Sequence, residues 1–131
     1  MAGILAIELF VTKDERVIVN ELAPRPHNSG HYTIEACSFD QFDAHIRGIA
    51  GWPLEQPELL KPAVMVNVLG QHVAPTRALI AEHPEWSMHD YCKAEVRHDR
   101  KMGHITVLTN DTKQTVADLE RTGCWDDLKK I

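Results

Sequence analysis

The polar segment at residues 20–31, which reads NELAPRPHNSGH, constrains the fold more than any other part of the chain. Pro24 and Pro26 fix φ and remove two backbone donors, so the segment can be neither a helix nor a central strand. It directly follows the apolar β-branched run 17–19 and carries a carboxylate, an arginine, two histidines and two asparagines. Polar loops at the ends of buried strands often hold binding and catalytic residues in α/β proteins. Because polar loops without a function are also common, this pattern alone leaves both interpretations open.

A β-hairpin is predicted immediately before this segment. Residues 3–11 are almost all apolar, with Glu8 as the single charge, and residues 16–21 form a second apolar strand. If Asp14 and Glu15 are the two turn residues of a hairpin, the register follows by counting back from the turn. That register pairs Val11 with Ile18, Phe10 with Val19, and Glu8 with Glu21.

Two facing glutamates are unfavourable unless something lies between them. Like charges opposite each other destabilise a strand pair, and a lone carboxylate in an apolar strand is costly to bury. A hard divalent cation between Glu8 and Glu21 would remove both penalties, since Mg²⁺ is typically held by one or two carboxylates and by substrate phosphates. The alternative is that one glutamate faces solvent, as a bulge in the turn would allow.

These residues resemble the metal-binding end of the ATP-grasp ligases, and among them the family of 5-(carboxyamino)imidazole ribonucleotide synthetases, known in older naming as a carboxylase and lyase. The resemblance starts with the strand glutamate, the turn and the NELAPRPHNSGH segment. It continues through four further stretches that extend almost to the end of the chain, at residues 51–54, 64–70, 89–93 and 100–106.

The resemblance implies an ATP-dependent carbon–nitrogen ligase. Glu8 and Glu21 would hold Mg²⁺ or Mn²⁺ bridging the phosphates of ATP, with Asn20 beside Glu21 as a second cofactor-binding residue. The partners would be ATP, bicarbonate and 5-aminoimidazole ribonucleotide. The product would be the carboxylated amine of purine biosynthesis.

Three residues of the polar segment receive substrate roles from the resemblance. Arg25 would steady the bicarbonate-derived anion, and His27 and Asn28 would face the aminoimidazole nucleotide. Arg25 and His27 are the predicted catalytic residues, with His27 moving a proton. The spacing of His27 and His31 also occurs in zinc sites, but it presents both rings to one metal on a helix, which Pro26 and Gly30 disfavour here.

The second predicted binding region is the basic cluster at residues 93–101. It is either a solvated turn between two strands or a clamp for a monophosphate. The resemblance favours the clamp, in which Lys93 and Arg100 would hold the phosphate of the ribonucleotide, with Lys101 beside them.

Composition excludes several classes of protein. The net charge of −5 argues against general nucleic-acid binding, and no run is long and apolar enough to span a membrane. The three cysteines follow no metal-ligand spacing, which indicates reduced thiols and a cytoplasmic location.

The predicted fold class is α+β. Residues 1–50 are expected to form the C-terminal end of an ATP-grasp domain, 51–62 a proline-rich linker, and 63–131 a small β-rich, barrel-like subdomain. Within the first region, Ser38 is predicted to cap a helix, with Gln41 completing a capping box. An apolar face of that helix is predicted to be core, at Phe39, Phe42, Ile46 and Ile49.

Members of this family are considerably longer than this chain, and its opening on an apolar strand is typical of a sequence that lacks a preceding region. No glycine-rich phosphate loop or lysine-bearing adenine pocket is recognisable, so we expect the chain alone to be inactive. An unpaired apolar strand favours a homodimer or larger species. Two other functions stay open: another ATP-grasp carboxylate–amine ligase, and a non-catalytic binding or assembly module.

Overall fold

The structure, a computed structural model, describes residues 2–126 and divides the chain into two compact units. Unit 1 comprises residues 1–60 and unit 2 comprises residues 61–131. Both combine helices with antiparallel strands, so the predicted α+β class is confirmed. None of the helices in the described part of the chain is long and apolar enough to cross a membrane.

Unit 1 begins with a hairpin of β1 (Ala6–Val11) and β2 (Val17–Ala23). The predicted pairing of Glu8 with Glu21 is confirmed, but the predicted register next to the turn is wrong by one residue. Val11 pairs with Val17 instead of Ile18, and Phe10 pairs with Ile18 instead of Val19.

The difference arises from two irregularities that compensate each other. The turn has three residues between Thr12 and Arg16, whose backbone N–H and C=O bond at 2.9 Å. Its last residue, Glu15, adopts a left-handed conformation with φ of 62°. Farther along, the register shifts again between Glu8 and Leu9, where Asn20 is the extra residue of a β-bulge in β2. The bulge returns Glu8 to the position opposite Glu21.

A 3₁₀ turn at Asn28–Gly30 lies within the polar segment. Two helices follow the segment, α1 at Thr33–Ala36 and α2 at Gln41–Ala50. The predicted cap at Ser38 is wrong, because Asp40 is the N-cap of α2 and its carboxylate accepts from the N–H groups of Phe42 and Asp43. Ser38 bonds instead to the returning chain: its Oγ accepts from the N–H of Glu58 at 3.0 Å.

Unit 1 buries few side chains. Among its described residues only Ala23, Ala36 and Gln41 are buried. The prediction of a core-facing α2 is wrong for Phe42, Ile46 and Ile49, all of which are exposed. The apolar side chains of the hairpin are exposed as well, including Ile7, Leu9, Phe10, Val11, Val17, Ile18, Val19 and Leu22.

Unit 2 is a three-stranded antiparallel sheet with helices packed on it. Its elements are β3 (Ala63–Leu69), α3 (Val73–Leu79), β4 (Ser87–Asp90), β5 (Lys101–Leu108) and α4 (Thr112–Arg121), with 3₁₀ turns flanking α3. The strand order is β3-β5-β4, so β5 is central and its residues 102–107 are all buried. The core comprises Val68, Val73, Trp86, Met102, Ile105, Val107, Leu119, Cys124 and Trp125.

Candidate metal and nucleotide site

The hairpin brings two carboxylates and an amide together. Glu8 and Glu21 face each other across the strand pair. The bulged residue Asn20 donates from its side-chain amide to Oε2 of Glu8 at 3.1 Å. The local irregularity of β2 therefore places three oxygen- or nitrogen-bearing side chains within reach of one another.

His27 completes this group from the polar segment. Its Nδ1 lies 3.4 Å from Oε1 of Glu8, and its Nε2 lies 3.9 Å from Oε2 of Glu21. The His27 side chain is only 12% exposed, whereas the two carboxylates are more open to solvent. One ligand atom from each of the three residues lies within 4.8 Å of the others. We refer to these residues as the Glu8–Glu21–His27 cluster.

The cluster fits a divalent cation. Ligand oxygens at about 2.0–2.1 Å from Mg²⁺ cannot be more than about 4.2 Å apart, so small side-chain movements would bring these atoms onto one ion. The two carboxylates are the hard ligands that Mg²⁺ prefers, and carboxylate oxygens suit Mn²⁺ as well. A cation would also remove the repulsion between Glu8 and Glu21.

Gln41, at the start of α2, holds the backbone beneath this cluster. Its Oε1 accepts from the N–H of His27, and its Nε2 donates to the C=O of His27, both at 2.9 Å. The same Nε2 lies 2.7 Å from Nδ1 of His31. His31 therefore takes part in the support of the loop through its contact with Gln41.

The other predicted residues of this segment lie at its edge. Arg25 is exposed, with Nη2 at 3.9 Å from Oε1 of Glu21 and Nη1 donating to the C=O of Pro26 at 3.1 Å. Asn28 begins the 3₁₀ turn, and its C=O accepts from the N–H of His31 at 3.1 Å. Arg25 is therefore close enough to Glu21 to reach an anion bound beside the cluster.

The predicted phosphate-binding residues lie in unit 2. Lys93 and Arg100 are on a loop at residues 91–100 between β4 and β5 that we call the basic loop, and Lys101 is the first residue of β5. The Lys93 ammonium donates to the C=O of Lys101 and lies over the Tyr91 ring, 5.5 Å from its centroid. The Arg100 guanidinium donates to the C=O of Glu95 at 3.2 Å. These two cations therefore contact one backbone carbonyl of the loop and one at the start of β5. A phosphate could replace both contacts.

A second glutamine supports the basic loop. Gln71 donates from Nε2 to Oδ1 of Asp99 and accepts at Oε1 from the N–H of Asp99, both at 2.9 Å. Asp99 has a left-handed conformation with φ of 59°. Gly70 lies directly beneath the loop, where a Cβ would overlap the carbonyl oxygen of Arg97. Any side chain at residue 70 would therefore displace the loop.

Sequence reasoning missed the two glutamines and the contact of His27 with both carboxylates. Gln41 was interpreted as half of a capping box, and Gln71 was not singled out. No sequence signal identifies Gln71. For Gln41, its position shortly after a histidine-bearing proline loop is the only hint.

Two protein families match different parts of the chain. The family model of the phosphoribosylaminoimidazole carboxylase C-terminal domain matches residues 63–118, and that of the ATP-grasp domain matches residues 1–42. The N5-carboxyaminoimidazole ribonucleotide synthase of Staphylococcus saprophyticus is 53% identical over 114 residues, which cover 86% of this chain and 30% of that protein.

Solved structures show the same likeness. The crystal structure of N5-carboxyaminoimidazole synthetase from Staphylococcus aureus complexed with ADP has 50% identity and a TM-score of 0.88, covering 92% of this chain and 32% of that one. The synthase from Aspergillus clavatus in complex with ADP and 5-aminoimidazole ribonucleotide has 35% identity and a TM-score of 0.81, covering 92% and 34%. The chain thus spans about a third of the length of the relatives it matches.

Proposed function

Because the chain belongs to the N5-carboxyaminoimidazole ribonucleotide synthase family and corresponds to its C-terminal third, we propose that it supplies the metal-binding and ribonucleotide-binding parts of such a ligase. The observation that carries this proposal is the convergence of Glu8, Glu21 and His27 on one face of the hairpin. The whole protein would use ATP and bicarbonate to carboxylate the amine of 5-aminoimidazole ribonucleotide.

Residues of unit 1 would act at the phosphoryl-transfer and carboxylation steps. Glu8 and Glu21 would hold Mg²⁺ or Mn²⁺, with Asn20 orienting Glu8, and the cation supplies neutralisation of the charge on the ATP phosphates. Arg25 would hold the bicarbonate oxygen that attacks the terminal phosphorus of ATP, giving carboxyphosphate and ADP. The amine of the ribonucleotide then displaces phosphate from the carboxyl carbon, and His27 accepts the proton that the amine loses.

Residues of unit 2 would hold the ribonucleotide. Lys93 and Arg100 would bind its phosphate in place of the carbonyls that they contact in the free chain, and Lys101 would add a third positive charge. Asn28 of unit 1 would face the aminoimidazole ring. The domain bounds at 1–50, 51–62 and 63–131, the homodimer and the cytoplasmic location stay predictions that accompany this function.

Metal binding can be measured on the chain directly. We expect Mn²⁺ to bind at the cluster, and the Glu21→Gln substitution to weaken that binding about tenfold or more, since it removes one of two charged oxygen ligands. Glu15→Gln is the matched control, because Glu15 is an exposed glutamate in the turn of the same hairpin. Electron paramagnetic resonance of free Mn²⁺ reports both affinities. Equal affinities for the two variants would contradict the assignment.

Ribonucleotide binding distinguishes the proposal from its alternatives. Titration with 5-aminoimidazole ribonucleotide should shift the side-chain resonances of Lys93 and Arg100, and glycinamide ribonucleotide should not. Arg100→Gln should abolish the shift, whereas Arg121→Gln, which removes an exposed arginine of α4, should not. A response to glycinamide ribonucleotide would indicate another ATP-grasp ligase, and no response to either would favour a non-catalytic module.

A further inference from the structure

We propose that Gln41 is a positioning residue for His27: its buried side-chain amide fixes the backbone of His27 so that the imidazole stays between Glu8 and Glu21. This inference deepens the proposed function, because it names the group that sets the orientation of a residue predicted to be catalytic. It is carried by the hydrogen bonds of Gln41 and not by the family likeness.

The amide of Gln41 is matched to the backbone of a single residue. Oε1 accepts from the N–H of His27 and Nε2 donates to its C=O, so both polar groups of that peptide residue are bound by one side chain. Two bonds at 2.9 Å to one residue fix the position of its Cα and the direction of its Cβ. The third bond, to Nδ1 of His31, fixes the amide itself.

Burial makes this interaction costly to lose. Gln41 is 8% exposed and is the only buried polar side chain among the described residues of unit 1. A buried amide must keep its partners, because an unsatisfied donor or acceptor loses the full energy of hydration. If the loop moved away, the buried amide of Gln41 would lose its partners on His27. This cost holds the rest of the segment in place as well.

The neighbours of Gln41 are consistent with a built support. Its own N–H donates to Oγ1 of Thr33 at 3.1 Å, and that hydroxyl donates to the C=O of Gly30. Gly30 lies against the amide, since a Cβ at that residue would come within 2.5 Å of Oε1 of Gln41. The absence of a side chain at Gly30 therefore allows the amide to reach His27.

The contact of the His27 ring with the carboxylates of Glu8 and Glu21 depends on this arrangement. His27 is held at 3.4 Å from Glu8 and 3.9 Å from Glu21, yet it lies on a loop with no strand partner. The only other side chain bonded to its ring in the described part is Ser29, two residues away on the same loop. Support from outside the loop comes from Gln41.

The test compares Gln41→Met with Asp40→Ala. The methionine keeps the size of the buried side chain and removes both polar groups, whereas the alanine removes the cap of α2 and leaves Gln41 intact. Gln114→Met is the matched control for the substitution itself, because Gln114 lies in the first turn of α4 and is exposed.

Two readouts follow His27 in metal-free protein, and a third uses Mn²⁺. In Gln41→Met, exchange of the His27 amide hydrogen should accelerate about tenfold or more, the factor expected for loss of one hydrogen bond. The nuclear Overhauser effect between the His27 ring and the Glu8 side chain should disappear. Broadening of the His27 ring signals by substoichiometric Mn²⁺ should fall. All three should stay close to wild type in Asp40→Ala and Gln114→Met.

Either of two results would overturn the proposal: His27 signals that are unchanged in Gln41→Met, or signals that are lost equally in Asp40→Ala. If Gln41→Met does not fold, Gly30→Ala tests the same point, because its methyl group displaces the amide from the other side; unchanged metal-free signals there would overturn it too. Absence of Mn²⁺ broadening in the wild type would contradict the proposed function, whereas a Gln41-dependent His27 amide would still support the positioning role.

Discussion

The two units of the chain are ordered by different interactions. Unit 2 has a contiguous apolar core around β5, in which Ile105 and Val68 are almost completely buried. Unit 1 buries two alanines and the amide of Gln41 among its described residues, and it exposes the apolar side chains of its hairpin. A loop in unit 1 is therefore positioned by a few polar bonds, and the sheet in unit 2 is positioned by packing.

The difference also applies to the two predicted binding regions. In unit 1 the two carboxylates and His27 already lie within 4.8 Å of one another, so the proposed metal site would need only small side-chain movements. In unit 2 the Lys93 and Arg100 side chains contact backbone carbonyls of Lys101 and Glu95. The backbone of the basic loop is held by Gln71 and lies against Gly70. The candidate binding residues therefore already converge in the less buried unit and not in the better packed one.

Truncation of a core side chain in unit 2 should cost much more stability than truncation of a hairpin side chain in unit 1. Ile105→Ala removes a fully buried side chain, so we expect the free energy of unfolding of unit 2 to fall by about 2–5 kcal/mol. Leu9→Ala removes a side chain that is 52% exposed, and we expect a loss of about 1 kcal/mol or less in unit 1. Urea denaturation followed by amide exchange in each unit measures both. Similar losses would show that the hairpin is as well packed as the core.

The hairpin shows how much of unit 1 was predictable. Apolar runs located both strands, and the pairing of Glu8 with Glu21 was predicted correctly. It was correct because two errors cancelled. The turn has one residue more than expected, with Glu15 left-handed despite its side chain, and the bulge at Asn20 shifts the register back. Neither irregularity has a local sequence signal, because the glycine that usually marks such a turn is missing.

The helices show where long-range contacts override local signals. Ser38 and Gln41 have the spacing of a capping box, but Ser38 bonds to Glu58 and Gln41 bonds to His27. Such partners, 14 and 20 residues away, cannot be recognised from the local pattern. In unit 2, by contrast, Asp111 caps the last helix, and its partner Gln114 lies within the first turn. Local caps are predictable, and tertiary hydrogen bonds are not.

Association is expected to depend on the exposed strand of unit 1. The two-stranded sheet leaves one edge of β1 without a strand partner in the described residues, and apolar edges of this kind template pairing between chains. Leu5→Lys places a charge next to this edge. It should weaken self-association about tenfold or more, because burial of an unpaired charge costs at least ~1.4 kcal/mol.

The matched control is Val116→Lys on α4 of unit 2, because Val116 and Leu5 are similarly exposed, at 44% and 45%. Sedimentation velocity over a range of concentrations measures the association of both variants. If Val116→Lys weakens association as much as Leu5→Lys does, the hairpin edge is not the interface. A folded Leu5→Lys chain with wild-type association would lead to the same conclusion.

Helix capping should give smaller effects that are confined to one unit each. Asp40 accepts from two backbone N–H groups of α2, whereas Asp111 accepts from one in α4. Substitution of either by alanine should cost about 1 kcal/mol, with Asp40→Ala the larger. Amide exchange should report the loss in residues 2–60 for Asp40→Ala and in 61–126 for Asp111→Ala. A loss that spreads equally over both units would mean that they unfold together, and the comparison between them would then fail.

The smallest effect is a pH dependence in unit 2. The hydrogen bond from Arg77 holds the pKa of Asp90 below its ordinary value of 3.8, with help from the Cys92 backbone N–H and against a small effect of burial. Because the folded pKa is lower, the unfolded chain binds more protons in this range, so the stabilisation is complete above pH 3.8 and is lost as pH falls through the folded pKa.

Arg77→Met should therefore lower the free energy of unfolding at pH 7, by at most about 1 kcal/mol for so exposed an ion pair. The difference from wild type should shrink as the pH falls below 3.8. In an Asp90→Asn background the same substitution should give a difference that does not vary with pH. Denaturant unfolding from pH 7 to pH 3 measures both series. The effect of Arg77→Met in the protein that retains Asp90 could also prove independent of pH. Arg77 would then stabilise unit 2 through packing of its side chain alone, and polar bonds would matter less there than they do around Gln41.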